Sequence, residues 1–211
     1  MINHNIDQKT DQWHHLRKGK ITGTTLKAIM GTPKARQEAL YETIAERLTV
    51  GVDTEYENPM DRGTRLEPDA IAVFELETGL SVERVGFSES DKNSQIANSP
   101  DGLIKNEQGE MIGAVEAKCM GGKNHVKMWL TNRVPEEYEW QVVQYFIVNE
   151  KLEKLYFIGY NPDIPVHPLH IIEVHRDQME SNIIKATTSQ EVFLEEVNAI
   201  VATLIEPIES I

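Results

Sequence analysis

Two short segments of the chain, Ser99-Pro100-Asp101-Gly102 and Glu116-Ala117-Lys118, decide its fold. The turn sequence Asn106-Glu107-Gln108-Gly109 lies between them, and extended sequence flanks this turn on both sides. We therefore expect a β-hairpin. When the hairpin is folded about its turn, Asp101 lies opposite Val115 or Glu116, so the two segments meet at the open end.

Three ionisable groups converge at this end of the hairpin. Glu116 and Lys118 are two residues apart, so they point to the same face of one strand, and Asp101 approaches from the other strand. Residues 111–115 are apolar, which predicts a buried strand, and buried carboxylates are costly unless they are paired or bind a metal. Carboxylate oxygens suit Mg²⁺ or Mn²⁺. In such a site Lys118 would hold the attacking water or help to deprotonate it; the alternative is a surface hairpin with a cross-strand salt bridge.

Glu67 is a third carboxylate that we assign to this site. A helix is predicted from Leu66 to Gly79, with Pro68 in its first turn and Gly79 at its C-cap. Ile71 and Phe74 follow Glu67 on the same helical face, so the carboxylate is expected to point inward. It would then be a further oxygen ligand; the alternative is a surface group stabilised by the helix dipole.

The rest of the chain alternates helical and extended patterns. The remaining predicted helices cover Glu38–Leu48, Glu136–Asn149 and a C-terminal stretch that starts with the capping-box pattern Thr188-x-x-Glu191. The remaining predicted strands cover Ser81–Phe87, Gln95–Ile104, Leu155–Tyr160 and His170–His175, and Val50–Pro59 is predicted to be a loop. This mixture predicts an α/β or α+β fold, with a central mixed β-sheet flanked by helices.

Composition restricts the remaining possibilities. A chain of 211 residues can bury roughly 70% of its extended surface in one core, so we expect a single domain over residues 1–211. The apolar runs are too short for a membrane helix and the polar N-terminus is unlike a secretory signal, which predicts a cytoplasmic protein with no membrane partner. The single cysteine, Cys119, excludes a disulfide framework and a protein-only four-cysteine metal site.

The charge distribution bears on possible partners. The net charge of −13 argues against broad, non-specific binding of nucleic acid. Residues 1–50, however, carry eight Lys and Arg against five Asp and Glu. A local basic track can therefore come from this first part of the chain.

Four motifs follow one another in a fixed order: Trp13-x-x-Leu16-Arg17-x-Gly19-x-Ile21-Thr22, Gly63-x-x-x-Glu67-x-x-Ala70, Ser99-Pro100-Asp101-Gly102 and Glu116-x-Lys118-Cys119. From about Trp13 to His175 the chain resembles the phage lambda exonuclease and YqaJ-type viral recombinase family, within the PD-(D/E)xK nuclease superfamily. The resemblance implies a restriction-endonuclease-like core. It also implies a metal-dependent 5′→3′ exonuclease that degrades one strand of double-stranded DNA from its ends and leaves 3′ single-stranded overhangs.

The resemblance assigns a catalytic role to each charged residue of the site. Asp101 and Glu116 match Mg²⁺ ligands, assisted by the Ala117 carbonyl, with Mn²⁺ as a possible substitute. Glu67 matches the helix carboxylate that approaches a second metal ion, so two ions are expected. Lys118 matches the catalytic lysine.

The resemblance also assigns substrate-binding residues. Arg17 matches an arginine that binds the phosphate at the DNA 5′ end. Thr24 stands where lambda exonuclease has serine, so a hydroxyl is kept. Lys34 stands where an arginine occurs, which keeps the charge but loses bidentate geometry toward phosphate. Ser99 is a further hydroxyl candidate.

The resemblance leaves open which of two glutamines lies at the site. The family has a helix glutamine near its site, and Gln141 and Gln144 both fit, three residues apart on one helical face. Trp13 is expected to pack the N-terminal segment rather than to stack on a base. Where the family often has proline after Lys-Cys, this chain has Met120, so the following loop is expected to take another path.

The expected partners follow from the resemblance alone. They are 5′-phosphorylated ends of double-stranded DNA, two further copies of the chain in a ring-shaped homotrimer, and a single-strand annealing protein of a phage recombination system in a bacterial cell. The chain is then expected to be encoded by a phage or prophage. Two alternatives stay open: a sequence- or structure-specific DNA endonuclease of the same superfamily, and a catalytically silent protein that binds DNA ends.

Overall fold

A computed structural model describes residues 1–48 and 61–205 of the chain. The helices are α1 (Asp11–Arg17), α2 (Gly23–Ile29), α3 (Pro33–Leu48), α4 (Asp61–Thr78), α5 (Gly122–Thr131), α6 (Glu139–Val148) and α7 (Glu180–Ile205). The strands are β1 (Ile2–His4), β2 (Val82–Glu83), β3 (Phe87–Glu89), β4 (Ala97–Asn98), β5 (Gly102–Lys105), β6 (Met111–Cys119), β7 (Lys154–Tyr160) and β8 (Leu169–His175). A turn of 3₁₀ helix precedes α6 (Glu136–Tyr138) and another precedes α7 (Arg176–Met179).

The central sheet has five strands in the order β2-β5-β6-β7-β8. Strands β6 and β7 are parallel, and the other neighbours are antiparallel. A second, smaller sheet has the order β1-β3-β4. The predicted fold class, a mixed central sheet flanked by helices, is therefore confirmed.

The β5–β6 hairpin confirms the predicted pairing of the two deciding segments. Gly102 pairs with Val115 and Leu103 pairs with Ala114, so the register extended by one residue sets Asp101 beside Glu116. The turn residue Gly109 has a φ of +78°, which a glycine adopts without strain. The hairpin thus brings its charged residues together at the open end of β6, as the sequence predicts.

Alternation along β6 sends its residues to two different layers. Ala114 packs with α6 residues such as Val142 and Phe146, whereas Val115 packs with α4 residues such as Phe74. Because side chains alternate along a strand, Glu116 and Lys118 share the α6 face with Ala114. Helix α4 therefore covers one face of the sheet, and α6 covers the face that carries the charged pair.

Helix α6 also connects the sheet to a helical layer. Its residue Val143 packs into a core cluster with Leu26 of α2, Leu40 of α3 and Phe193 of α7. The residues of α2 follow directly on Ile21, which forms a parallel bridge to Ile96. This packing fixes the N-terminal segment beside the open end of the hairpin.

Several boundaries differ from the predictions. The stretches Ser81–Phe87 and Gln95–Ile104 are each divided between the two sheets instead of forming single strands, because the chain crosses from one sheet to the other. Helix α4 begins at Asp61, earlier than the predicted Leu66. The predicted loop Val50–Pro59 lies outside the described residues.

The predicted start of the last helix is wrong. Helix α7 begins at Glu180, and Thr188 lies inside it, with its hydroxyl donating to the Ile184 carbonyl at 3.1 Å. Along this helix Phe193 and Val197 are buried, whereas Leu204 is 59% exposed. Helices α1, α2 and α5 had no counterpart among the predicted elements. Within residues 1–48 and 61–205, no helix combines the length and apolar character needed to cross a bilayer.

Candidate active site

A cleft of about 760 Å³ opens at the end of the β5–β6 hairpin, between the N-terminal segment and helices α5 and α6. Asp101, Ala117 and Lys118 line its floor. Glu116 lies directly beneath this floor and is fully buried. The hairpin therefore supplies the acidic and basic groups, while the helices supply the walls.

The two hairpin carboxylates are held by different groups. The Ala117 amide N–H donates to Asp101 Oδ2 at 2.8 Å. Glu116 Oε2 accepts the Tyr145 hydroxyl at 2.6 Å, and its Oε1 accepts the Gln141 amide at 2.6 Å. The Lys118 ammonium forms an ion pair with the same Oε1. Every oxygen of the buried Glu116 carboxylate thus has a hydrogen-bond partner.

The charges of the cluster shift its protonation. Burial, and then repulsion by Glu116, raises the pKa of Asp101 well above its usual range. Burial alone would lower the pKa of Lys118, but the Glu116 and Asp101 carboxylates outweigh it and raise that pKa above its ordinary value. The two carboxylates thus favour the ammonium form of Lys118, which can donate a hydrogen bond to a water molecule.

Glu67 lines the same cleft as the hairpin residues Asp101 and Lys118. It belongs to α4, whose apolar residues pack on the opposite face of the sheet from Glu116. Burial raises the pKa of Glu67, and the positive charges of Lys9 and Arg84 act against this rise. Among residues 1–48 and 61–205, no three His, Cys, Asp or Glu side chains already form a metal-ligating group. Repulsion by Glu116 also raises the pKa of Glu67, and Glu67 in turn raises that of Asp101, so the three carboxylates act on one another.

The donor set nevertheless fits a hard divalent cation. Asp101 and Glu116 offer carboxylate oxygens, Ala117 lines the same floor, and one ammonium group offsets only part of the acidic charge. Mg²⁺ is commonly held by one or two carboxylates and completes its shell with water. A cation here would also relieve the repulsion that raises the pKa of Asp101.

A second group of residues in the cleft surrounds Arg17. Arg17 Nη1 donates to Ser99 Oγ at 2.8 Å, and Arg17 Nη2 lies 3.4 Å from Thr22 Oγ1. The Trp13 ring lies 4.3 Å from the Arg17 guanidinium carbon. All of these residues line the cleft. The arrangement is suited to an anion, because a guanidinium and a hydroxyl present hydrogen-bond donors together.

The YqaJ-like viral recombinase domain matches residues 12–151, which include Arg17, Glu67, Asp101, Glu116, Lys118 and Gln141. This chain belongs to the YqaJ-like viral recombinase family. No curated protein sequence matches the chain significantly.

Two proteins of known structure have folds similar to that of this YqaJ-like chain. An alkaline exonuclease from Laribacter hongkongensis, LHK-Exo, is 28% identical, with a TM-score of 0.82 over 92% of this chain and 96% of that one. The same enzyme in complex with dAMP gives a TM-score of 0.81 at 28% identity and equal coverage. A phage-related exonuclease from Haemophilus somnus 129PT is 15% identical, with a TM-score of 0.58 over 88% of this chain and 96% of that one. At 15% identity the likeness concerns the fold alone.

The structure of this YqaJ-like chain separates the two glutamines that the sequence left open. Gln141 lines the cleft and donates to Glu116. Gln144 is fully buried and donates to the carbonyls of Ile21 and Ala97 at 3.1 and 3.0 Å. It therefore ties the N-terminal segment to β4 and is not placed to meet a substrate.

The remaining predicted substrate-binding residues fall into two groups. Thr24 is exposed on the cleft wall, in the first turn of α2. Lys34 is exposed near the start of α3 and is not part of the cleft lining. The cleft geometry thus brings Thr24, but not Lys34, to the residues around Arg17.

Three cleft residues were missed from the sequence. Tyr145 follows Gln141 by four residues, and this helical spacing is the signal that could have found it. Tyr138 lies over the Lys118 ammonium, which is 5.2 Å from its ring. Asn98 lines the cleft and is buried, and its side-chain oxygen has no hydrogen-bond partner among the described residues. Neither Tyr138 nor Asn98 carries a spacing signal.

Proposed function

We propose that this chain is a divalent-metal-dependent exonuclease that degrades one strand of double-stranded DNA from its 5′ end and leaves 3′ overhangs. The observation that carries the proposal is a cleft with Asp101 and Lys118 on its floor, the Glu116 carboxylate buried beneath them, and an arginine–serine pair lining the same cleft. The family match and the likeness to an alkaline exonuclease support it. That relative was also solved with dAMP, a nucleotide of the size that stepwise digestion releases.

The metal would be Mg²⁺, with Mn²⁺ as a substitute. Asp101, Glu116 and the Ala117 carbonyl would hold it, and Glu67 would approach a second ion. When bound, such an ion lowers the pKa of water and stabilises the negative charge that develops on a phosphate.

Lys118 would orient the attacking water and stabilise charge on the phosphate, because its ammonium already lies against Glu116. Gln141 and Tyr145 keep the Glu116 carboxylate in one orientation. The water oxygen bonds to phosphorus as the water gives up one proton to solvent, and the bond from phosphorus to the 3′ oxygen of the terminal nucleotide breaks. That oxygen takes up a proton, and a mononucleotide leaves.

The reaction regenerates its own substrate end. Cleavage at the 3′ oxygen leaves the phosphate on the shortened strand as a new 5′-phosphate. Arg17 and Ser99 would bind this group through charge-assisted hydrogen bonds, and the next phosphodiester would then lie toward Asp101. Thr24 lines the same cleft and would contact the same end of the strand.

The test is digestion of linear duplex DNA labelled at either end, with and without Mg²⁺, beside a closed circular duplex. Loss of label from 5′-phosphorylated ends only, with the circle intact, is the expected result. Asp101→Ala and Lys118→Ala should abolish it, whereas Lys105→Ala, which removes an ion pair with Glu83 outside the cleft, should not. Cutting of the circle would indicate an endonuclease, and end binding without turnover would indicate a silent end-binding protein.

The assembly and partners are proposed on the family alone. A ring-shaped homotrimer would enclose DNA and reduce the dependence on a basic surface in a chain of net charge −13. A single-strand annealing protein would receive the 3′ overhangs, and both proteins would be encoded by one phage or prophage. Light scattering at several protein concentrations tests the trimer, and a monomer at all of them would contradict it.

A further inference from the structure

Trp13 has no part in the proposed reaction, yet it lines the cleft. Both its ring and its indole N–H contact other residues there. Its ring lies 4.3 Å from the guanidinium carbon of Arg17. Its indole Nε1 donates to the Gly86 carbonyl at 2.9 Å and lies 3.2 Å from Ser99 Oγ. The indole therefore contacts both members of the arginine–serine pair.

These contacts determine what the Ser99 hydroxyl can do. A serine hydroxyl has two lone pairs that accept hydrogen bonds and one proton that it donates. Arg17 Nη1, at 2.8 Å, and Trp13 Nε1, at 3.2 Å, both direct N–H groups at Ser99 Oγ. With two donors on its oxygen, the hydroxyl is left to act as a donor. Because Ser99 lines the cleft, an acceptor in the cleft, such as a phosphate oxygen, can receive its proton.

The aromatic face acts on Arg17 in a complementary way. A guanidinium stacked over an indole is attracted by the ring and confined to one plane. Thr22 Oγ1, 3.4 Å from Nη2, limits movement within that plane. An arginine fixed in this way loses less conformational freedom when it binds a phosphate with two parallel hydrogen bonds.

We propose that Trp13 is the positioning residue that sets the preference for a 5′-phosphorylated over a 5′-hydroxyl DNA end, by fixing the Arg17 plane and the Ser99 hydroxyl. The inference rests on the proposed exonuclease function and on the assignment of Arg17 to the terminal phosphate. It concerns specificity rather than the chemical step, because Trp13 touches neither carboxylate of the cleft floor.

The experiment measures kcat and KM on two blunt duplexes that differ only in a 5′-phosphate or a 5′-hydroxyl on the labelled strand. The selectivity is the ratio of the two kcat/KM values. Trp13→Leu removes the aromatic face and the N–H, and we expect it to lower the selectivity about ten-fold, mainly through KM on the phosphorylated end. Trp13→Phe keeps an aromatic face but loses the N–H, so we expect a smaller loss of about three-fold.

A matched control is available in the same chain. Trp140 is half-buried outside the cleft, with the Lys185 ammonium 5.8 Å from its ring. Trp140→Leu and Trp140→Phe remove a comparable tryptophan–cation contact, and the selectivity should not change. Urea unfolding of all four variants verifies that each is folded under the assay conditions.

A double-mutant cycle separates positioning from a general structural effect. If Trp13 acts through Ser99, Trp13→Phe should have little effect on selectivity once Ser99→Ala is present. Additive effects of the two substitutions would overturn the inference, and so would an equal loss on both end types. If Trp13→Leu does not fold, the double-mutant cycle of Trp13→Phe with Ser99→Ala still tests the inference.

The outcomes distinguish this inference from the proposed function. A wild-type chain that degrades neither duplex refutes the proposed function, and this inference with it. A wild type that degrades both duplexes equally refutes this inference and the assignment of Arg17 to the terminal phosphate, but leaves the exonuclease activity itself standing. A wild type that prefers the phosphorylated end, with the preference retained in both Trp13 variants, refutes this inference and leaves the exonuclease function intact.

Discussion

Tyr145→Phe removes one oxygen atom from the centre of the site. The hydroxyl donates to Glu116 Oε2 at 2.6 Å and accepts the Asp101 amide N–H at 3.3 Å. Burial raises the pKa of Tyr145 well above its usual range, so the hydroxyl keeps its proton and remains a donor. Among the described residues, no other side chain donates to that carboxylate oxygen.

The size of the loss follows from these contacts. A hydrogen bond to a charged group contributes about 1.5–3 kcal/mol, and the oxygen left behind stays buried without a partner. The longer contact to Asp101 adds little, and phenylalanine fills nearly the same volume. We therefore expect Tyr145→Phe to lower the free energy of unfolding by about 2 kcal/mol. At about 2–4 °C per kcal/mol for a domain of this size, the melting temperature should fall by about 4–8 °C.

The assay is urea unfolding of the metal-free protein, followed by circular dichroism. Tyr160→Phe is the matched control, because Tyr160 is 7% exposed and its hydroxyl makes no hydrogen bond within residues 1–48 and 61–205. The same samples, titrated with Mn²⁺, should show about ten-fold weaker binding in Tyr145→Phe, as expected when a partner of a metal ligand is removed.

The reasoning is refuted if the free energies of unfolding of Tyr145→Phe and Tyr160→Phe differ by less than about 0.5 kcal/mol, since ordinary surface substitutions have effects of that size. A change in the slope of the unfolding free energy with urea would also remove the interpretation, because the denatured state would then differ.

Three further predictions concern Asp101, Gly19 and Glu67. Because the pKa of Asp101 is raised in the folded protein, the stability that its protonated carboxyl gives is complete below the ordinary pKa and is lost as the pH rises through the raised pKa. Asp101→Asn should therefore have a higher melting temperature than the metal-free wild type at pH 8. This difference should vanish toward about pH 4. Gly19→Ala should lower the free energy of unfolding in urea by about 1–2 kcal/mol, and by more than Gly109→Ala does. Both glycines have a positive φ, but only at Gly19 would an added Cβ lie 2.6 Å from Arg47 Cγ. Glu67→Ala should lower Mg²⁺-supported turnover about ten-fold while DNA binding, measured by fluorescence anisotropy, changes little.

Each of these predictions has a clear opposite result. A melting-temperature difference for Asp101→Asn that does not vary with pH would mean that its carboxyl is not destabilised by ionisation. Equal losses of unfolding free energy in the two glycine variants would mean that the Arg47 side chain moves away from the added Cβ at no energetic cost. Wild-type turnover of Glu67→Ala at all Mg²⁺ concentrations would remove this residue from the site.

The sequence was most informative where local geometry decides the structure. The hairpin could be predicted because its turn and its apolar strand leave one register that buries the apolar residues. The ion pair of Glu116 and Lys118 follows from their spacing on one strand. The direction of Glu67 was partly predictable, since Ile71 and Phe74 are buried, but its distance from the hairpin carboxylates depends on how α4 packs across the sheet.

Packing between distant elements could not be read from the sequence. Gln141 and Gln144 share one helical stripe, and only the position of α6 between the sheet and the helical layer decides which of them meets the cleft. Thr188 and Glu191 have the spacing of a helix start, yet the helix continues through them because Ala186 and Phe193 are buried on its other side. Helices α1 and α2, of seven residues each, are too short for a reliable apolar period.

The parallel pairing of β6 with β7 has a consequence for how the chain folds. Parallel neighbours cannot be joined by a tight turn, so residues 120–153, including α5 and α6, form one long crossover. Asp101 and Glu116 belong to a hairpin that closes a short loop, whereas Tyr145 arrives with this crossover. We expect the two carboxylates to meet early and to remain hydrated until the crossover docks. Burial of the charged pair is then a late folding event, which follows the docking of the crossover rather than the initial collapse.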